Sequence, residues 1–208
     1  MLLIIDNSIR INKSSYIHKL KEALNALKIP YHEVNKINVK ELESIKSKVK
    51  GIIISGSKIK LSQKTLFTSF IHDIYYLLNI PNIPILGLCF GSQILHLLND
   101  GKLKNRKEYL CEIRNIKLHE NHKLFDGLDN SNEYINPMQF CFSDLILPIN
   151  NEKIKEIAWL KINNKEVPCG FEYKKNVFGL LFHPEVLESS WKILDNFAKL
   201  SGIKISNE

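Results

Sequence analysis

Ile85-Leu86-Gly87-Leu88-Cys89-Phe90-Gly91-Ser92-Gln93 reads as a buried strand, a sharp G-x-C-x-G turn and the opening of a helix. A nucleophile on such a turn sits in strained backbone, and glycines two residues before and after it relieve the crowding. The helix that begins there aims N–H groups and its positive dipole end at the sulfur, which favours the thiolate. The N–H of Phe90 is then placed to donate to an oxyanion formed at an attacked carbonyl. Taken alone, Cys89 reads equally well as an inert buried cysteine between turn glycines.

Upstream, short apolar runs alternate with helical patterns. Leu2-Leu3-Ile4-Ile5, Tyr31 to Val34 and Gly51-Ile52-Ile53-Ile54 read as strands, the last ended by Ser55-Gly56-Ser57. Ser14 can cap a helix whose stripe is Ile17, Leu20, Leu24 and Leu27, stopped by Pro30. A second helix is predicted over 66–78 and a third over 91–98. Alternating strands and helices imply a mostly parallel sheet with helices on both faces, and ligands bind beyond the strands' carboxyl ends. Downstream, strands are predicted over 107–117, 145–147, 157–162, 169–173 and 177–182, with a closing helix over 189–200. They suggest an antiparallel or mixed extension of the same sheet. With only a short polar tail after that helix, no second catalytic domain is expected.

The 208 residues, 44% hydrophobic and 25% charged, fit one globular domain spanning 1–208 and exclude disorder, collagen and coiled coil. No apolar run approaches the roughly 20 residues of a membrane span, and no signal peptide is read. Twenty-nine Lys and Arg against 22 Asp and Glu give +7, but the lysines are scattered, so neither nucleic acid nor a membrane is an expected partner. Cys89, Cys111, Cys141 and Cys169 are far apart and suggest neither a zinc site nor a disulfide framework. Reduced thiols and a cytoplasmic location are expected, with Cys111, Cys141 and Cys169 in the core. His119 and His122 read as a solvated loop, not a metal pair. His18, His32, His72 and His96 read as structural, and no metal or cofactor is expected.

The second informative stretch is Leu180-Leu181-Phe182-His183-Pro184-Glu185. In an extended segment His183 and Glu185 face the same side, and Pro184 holds that form. Glu185 could accept from one imidazole nitrogen while the other serves the Cys89 thiol as base, then acid.

Together these residues resemble the class I glutamine amidotransferases, whose site is of the Cys–His–Glu type. The elbow matches G-x-C-x-G-x-Q, and His183-Pro184-Glu185 matches H-P-E. Lys123-Leu124-Phe125-Asp126-Gly127-Leu128 is similar to a recurrent connecting element of that family. Ser55-Gly56-Ser57 is similar to the subgroup of the GMP synthetase glutaminase and the γ-glutamyl peptidases, whereas many members have S-G-G-P. Ser92 and Phe142 depart from the subgroup, which has histidines in these segments.

The resemblance implies a flavodoxin-like α/β fold and hydrolysis of glutamine through a γ-glutamyl thioester, with release of ammonia. It implies Cys89 as nucleophile, His183 as base and acid, and Glu185 as orienter. The backbones of Ser57 and Phe90 would form the oxyanion hole; Gly56, Gln93, Phe142 and Ser143 would line the substrate site. The ligand would be glutamine or another γ-glutamyl compound, and a possible partner is a separate synthase subunit. Two other readings stay open: a stand-alone γ-glutamyl peptidase or hydrolase, and a non-catalytic binding module.

Overall fold

The computed structural model describes residues 1–7, 15–34, 44–58, 60–61, 82–129, 131, 133–149, 151–152 and 154–204. The apolar runs become strands: β1 (Leu2–Ile5), β2 (Tyr31–Val34), β3 (Gly51–Ile54) and β4 (Ile85–Leu88). Every residue of β1, β3 and β4 is buried, as continuous apolar runs covered on both faces should be. They pair in parallel, with Leu3 beside Ile52 and Ile53 beside Leu86. The next strand along, β9 (Val177–Leu180), is parallel to β4 and pairs Leu86 with Phe178.

Beyond β9 the sheet turns antiparallel through β8 (Lys165–Lys174), β7 (Lys155–Ile162), β5 (Leu103–Leu118), β6 (Asn136–Ile146) and β10 (Phe182–His183). Asn163 and Asn164 join β7 to β8 with φ of 49° and 58°, the left-handed pair that suits the twist of a tight hairpin. Strands β5 and β6 are longer than the apolar runs suggest. Cross-strand pairing carries them through polar residues, so Phe142, Ser143 and Asp144 lie within β6.

Leu181 alone separates β9 from β10, yet five ladder steps separate these strands in the sheet. Laid flat, those steps would span roughly 24 Å, against about 3.8 Å between consecutive Cα atoms. The antiparallel part therefore curls back, bringing β10 and β6 to the carboxyl end of β4.

Three helices pack on this sheet among the described residues: α1 (Ser15–Ala26), α2 (Phe90–Leu98) and α3 (Lys192–Leu200). Ile17, Leu20 and Leu24 of α1 are buried, and Lys28 at φ 54° reverses the chain before Pro30. Asn196 of α3 donates to the Leu124 carbonyl (3.1 Å) and the Asp126 carbonyl (2.7 Å), docking the 3-10 turn Lys123–Phe125. The proposed cap Ser14 and the helix predicted over 66–78 lie outside the described residues. Among those residues no helix is long and apolar enough to cross a membrane.

Two sequence expectations are corrected. Cys111 and Cys141 stand opposite each other on β5 and β6, with Cα atoms 4.1 Å apart, and form a disulfide. Neither is the reduced core cysteine expected, and Cys111 is on the exposed side. Strand register across a sequence separation of 30 makes the pair, and sequence spacing does not display that register. His122 is not a solvated loop residue. Its Nδ1 accepts from the Leu124 N–H (3.3 Å) while its Nε2 donates to Glu172 (3.3 Å). Burial, first of all, lowers its pKa.

His96 on α2 is fully buried, with its ring 5.0 Å from Phe171 and its Nδ1 3.2 Å from the Tyr173 hydroxyl. Burial pushes its pKa down to about 4. Between the ordinary value of 6.5 and about 4, the unfolded chain binds a proton that the folded chain refuses. Stability should therefore fall by about 3 kcal/mol as pH drops through that window, and this contribution should be level above it. Urea melts at a series of pH values check this: His96→Leu should show a shallower acid slope than the natural chain.

Candidate active site

Cys89 links β4 to α2 with φ 48° and ψ −101°, a sparsely populated backbone region. Holding it there costs on the order of 1–3 kcal/mol. The surrounding ladder supplies the restraint: the Cys89 N–H donates to the Leu180 carbonyl (2.7 Å), and the Cys89 carbonyl accepts from the Gln93 N–H (3.0 Å). The flanking glycines are there for room. A Cβ on Gly91 would run into the Ile54 carbonyl, and one on Gly87 would stand 2.6 Å from the Gly91 carbonyl carbon.

His183 and Glu185 flank Pro184, as the extended reading requires. Glu185 Oε1 lies 2.8 Å from His183 Nδ1, and each residue is 1% exposed. Glu185 is the acceptor, so Nδ1 carries the proton in this pair. The turn is anchored from below: Ser190 Oγ donates to the Pro184 carbonyl (2.8 Å) and Trp191 Nε1 to the Glu185 carbonyl (3.0 Å). Among the described residues, His183 Nε2 and Glu185 Oε2 are buried without a hydrogen-bond partner.

Burial alone would lower the pKa of His183. The Glu185 carboxylate and the Cys89 sulfur outweigh it and hold the imidazole well above the usual histidine range. A methyl added at Gly56 would stand 3.0 Å from His183 Cε1 and 3.7 Å from Cys89 Cβ, so the sulfur-bearing turn and the imidazole share one small space. The Cys89 thiol itself donates to the Cys141 carbonyl at 3.3 Å.

A cavity of about 340 Å³ opens on this cluster. Of the residues singled out in the sequence, Cys89, Ser57, Gln93, Phe142 and Ser143 line it. Gly56 sits between His183 and Cys89, and Phe90 is buried at the first turn of α2. Gln93 is already engaged, its Nε2 donating to the Asp144 carbonyl at 2.8 Å.

The wall also contains Lys58, Lys60, Tyr109, Cys141 and Asp144, which the sequence reading did not place there. Lys58 and Lys60 follow directly on Ser55-Gly56-Ser57, so their position was a usable signal. Tyr109 and Cys141 arrive through strand pairing and leave no local signal. Asp144 is buried and held by Asn105 Nδ2 at 2.7 Å. Lysine ammonium groups and a carboxylate on one wall suit a zwitterionic amino acid, with the sulfur at the reacting end. No group of three or more metal-ligating side chains occurs among the described residues.

The family model for glutamine amidotransferase class-I matches residues 4–200. A GMP synthase (glutamine-hydrolyzing) subunit of Methanococcus vannielii is 28% identical, over 99% of this chain and all of its own. The same subunit of Methanococcus aeolicus is 30% identical over 98% of each chain. GMP synthase (glutamine-hydrolyzing) of Staphylococcus aureus is 28% identical over 79% of this chain, but only 30% of its own length is matched. A crystal structure of a candidate GMP synthase subunit from Thermoplasma acidophilum superposes with a TM-score of 0.76 at 21% identity. It covers 97% of this chain and 93% of that one, and shows the same fold.

The glycines separate fold from site. Gly91→Ala meets backbone that cannot yield and should lower stability by about 2–3 kcal/mol, read from a urea melt. Gly56→Ala presses instead on the edge of the His183 ring, a side-chain contact at 3.0 Å. It should cost less stability than Gly91→Ala and slow iodoacetamide alkylation of Cys89 several-fold at neutral pH.

Proposed function

The chain belongs to the class I glutamine amidotransferases, and on that premise we propose that Cys89, His183 and Glu185 are the triad with which it hydrolyses glutamine. The Cys89 sulfur attacks the γ-carboxamide carbon, and the carbonyl oxygen becomes an oxyanion. The N–H groups of Phe90 and Ser57 are assigned to it, at the α2 N-terminus and the turn after β3. His183 Nε2 gives its proton to the departing nitrogen, and ammonia leaves behind a γ-glutamyl thioester. His183 then takes a proton from water as the water attacks the thioester carbon. Glutamate is released and the thiol restored. Glu185 keeps the imidazole in one tautomer and steadies its positive charge.

The observation that carries this reading is the 2.8 Å His183–Glu185 pair buried beside a nucleophile turn with positive φ. A mere binding module has no use for a costly buried ion pair or a strained cysteine. Asp144 is assigned to the α-ammonium group of glutamine and Lys58 and Lys60 to its α-carboxylate, with Gln93, Phe142 and Ser143 shaping the pocket. Relatives named as a GMP synthase subunit are matched over their whole length, whereas a longer GMP synthase is matched over 30%. That supports ammonia passing to a separate synthase subunit from a single amidotransferase domain.

Ammonia release from glutamine, with and without the synthase subunit, tests the reading. Cys89→Ala should lose at least about 10⁴-fold in kcat, and Glu185→Gln about 10²–10⁴-fold. Turnover retained by Cys89→Ala would overturn it. Turnover of γ-glutamyl peptides but not glutamine would transfer the same triad to a peptidase.

A further inference from the structure

Tyr16, in the first turn of α1, has no part in the chemistry above, yet its ring lies on the catalytic imidazole. The centroids of Tyr16 and His183 are 4.1 Å apart and the planes are inclined by 16°. The far end of the phenol is fixed as well. Its hydroxyl is 2.6 Å from Cys141 Sγ and 3.7 Å from Cys111 Sγ, the two sulfurs of the cross-strand disulfide. A disulfide sulfur carries no proton, so the hydroxyl donates. Tyr16 thus spans from the disulfide on β5 and β6 to the imidazole on β10.

We propose that Tyr16 is a positioning residue, whose ring keeps the His183 imidazole in its plane and whose π face favours the imidazolium that pairs with the Cys89 thiolate. This rests on the triad reading and deepens it. Glu185 fixes His183 at one atom, Nδ1, which still leaves the ring free to tilt about that contact. A parallel aromatic face removes that tilt. An aromatic face also attracts a cation through its quadrupole, more strongly where water is excluded, and His183 is 1% exposed.

The titratable groups around this pair come from every packed element. Glu185 lies on the turn after β10, Cys89 on the turn after β4, Tyr16 on α1 and Tyr109 on β5. Burial, then the fields of Tyr109, Cys89 and Glu185, push the Tyr16 hydroxyl up to about 12, so the phenol stays neutral at physiological pH. Burial and the Cys89 sulfur raise that of Tyr109.

The test is the rate of iodoacetamide alkylation of Cys89 against pH, on the full chain with its disulfide intact. The other free cysteine, Cys169, is fully buried. Tyr16→Leu and Tyr16→Met keep the imidazole face dry and remove the π surface. Each should move the midpoint up by about one pH unit, roughly tenfold slower alkylation at pH values below both midpoints. Tyr16→Phe keeps the ring and should stay near the natural midpoint; His183→Gln should move it most.

Unchanged midpoints in Leu and Met variants, with a large shift in His183→Gln, would overturn the role of Tyr16 alone. A His183→Gln midpoint equal to the natural one would overturn the triad reading beneath it. A Phe variant that behaves like Leu would assign the effect to the hydroxyl and overturn the role of the ring.

Discussion

One residue of chain, Leu181, joins β9 to β10, and the whole site depends on that brevity. Strand β9 belongs to the parallel half, beside β4, the strand that runs into Cys89. Strand β10 pairs with β6 at the far edge of the antiparallel half. The connection cannot stretch, so the sheet must curl until both edges meet. Leu181 is fully buried, and its N–H is spent on the Cys169 carbonyl at 2.8 Å, so the link is held as well as short. Closure places His183 and the β6 segment from Cys141 to Asp144 against the sulfur-bearing turn. A single insertion there would release the geometry without touching any reacting group.

The parallel half was legible because its signals are local. Runs such as Leu2–Ile5 and Gly51–Ile54 can only be strands covered on both faces, and the structure buries every residue of them. The sharp turn at Cys89 was legible for the same reason: two glycines and a cysteine at fixed spacing define it. His183-Pro184-Glu185 announced its own pairing, since extended backbone puts the two side chains on one side. Apart from Lys58 and Lys60, the residues that were missed are those placed by closure. Tyr109, Cys141 and Tyr16 meet the site across strand register and helix packing. Cys111 and Cys141 read as unrelated core cysteines because the β5–β6 register, broken between Asn105 and Leu110, cannot be read from either strand alone.

The energetics of the site run against stability. A strained backbone at Cys89, an almost fully buried histidine–carboxylate pair and an imidazole kept cationic are each unfavourable in isolation. The surroundings offset them by fixing partners: Ser190 and Trp191 under the turn, Glu185 on the imidazole, and Tyr16 across its face. Glycine at 87 and 91 lets α2 approach β3 and β4 closely enough for the turn to form at all. This distribution separates residues whose loss should unfold the chain from those whose loss should only disarm it.

The central claim is that Cys89 is the nucleophile in a pocket that accepts glutamine. Intact mass after incubation with a glutamine-like diazoketone, for the natural chain and Cys89→Ala, tests it most directly. The reagent must be recognised as glutamine before the sulfur displaces nitrogen from it and forms a thioether. The account predicts one adduct on the natural chain, none on the variant, and protection by excess glutamine. A natural chain that takes up no diazoketone while its Cys89 still reacts with iodoacetamide would contradict it.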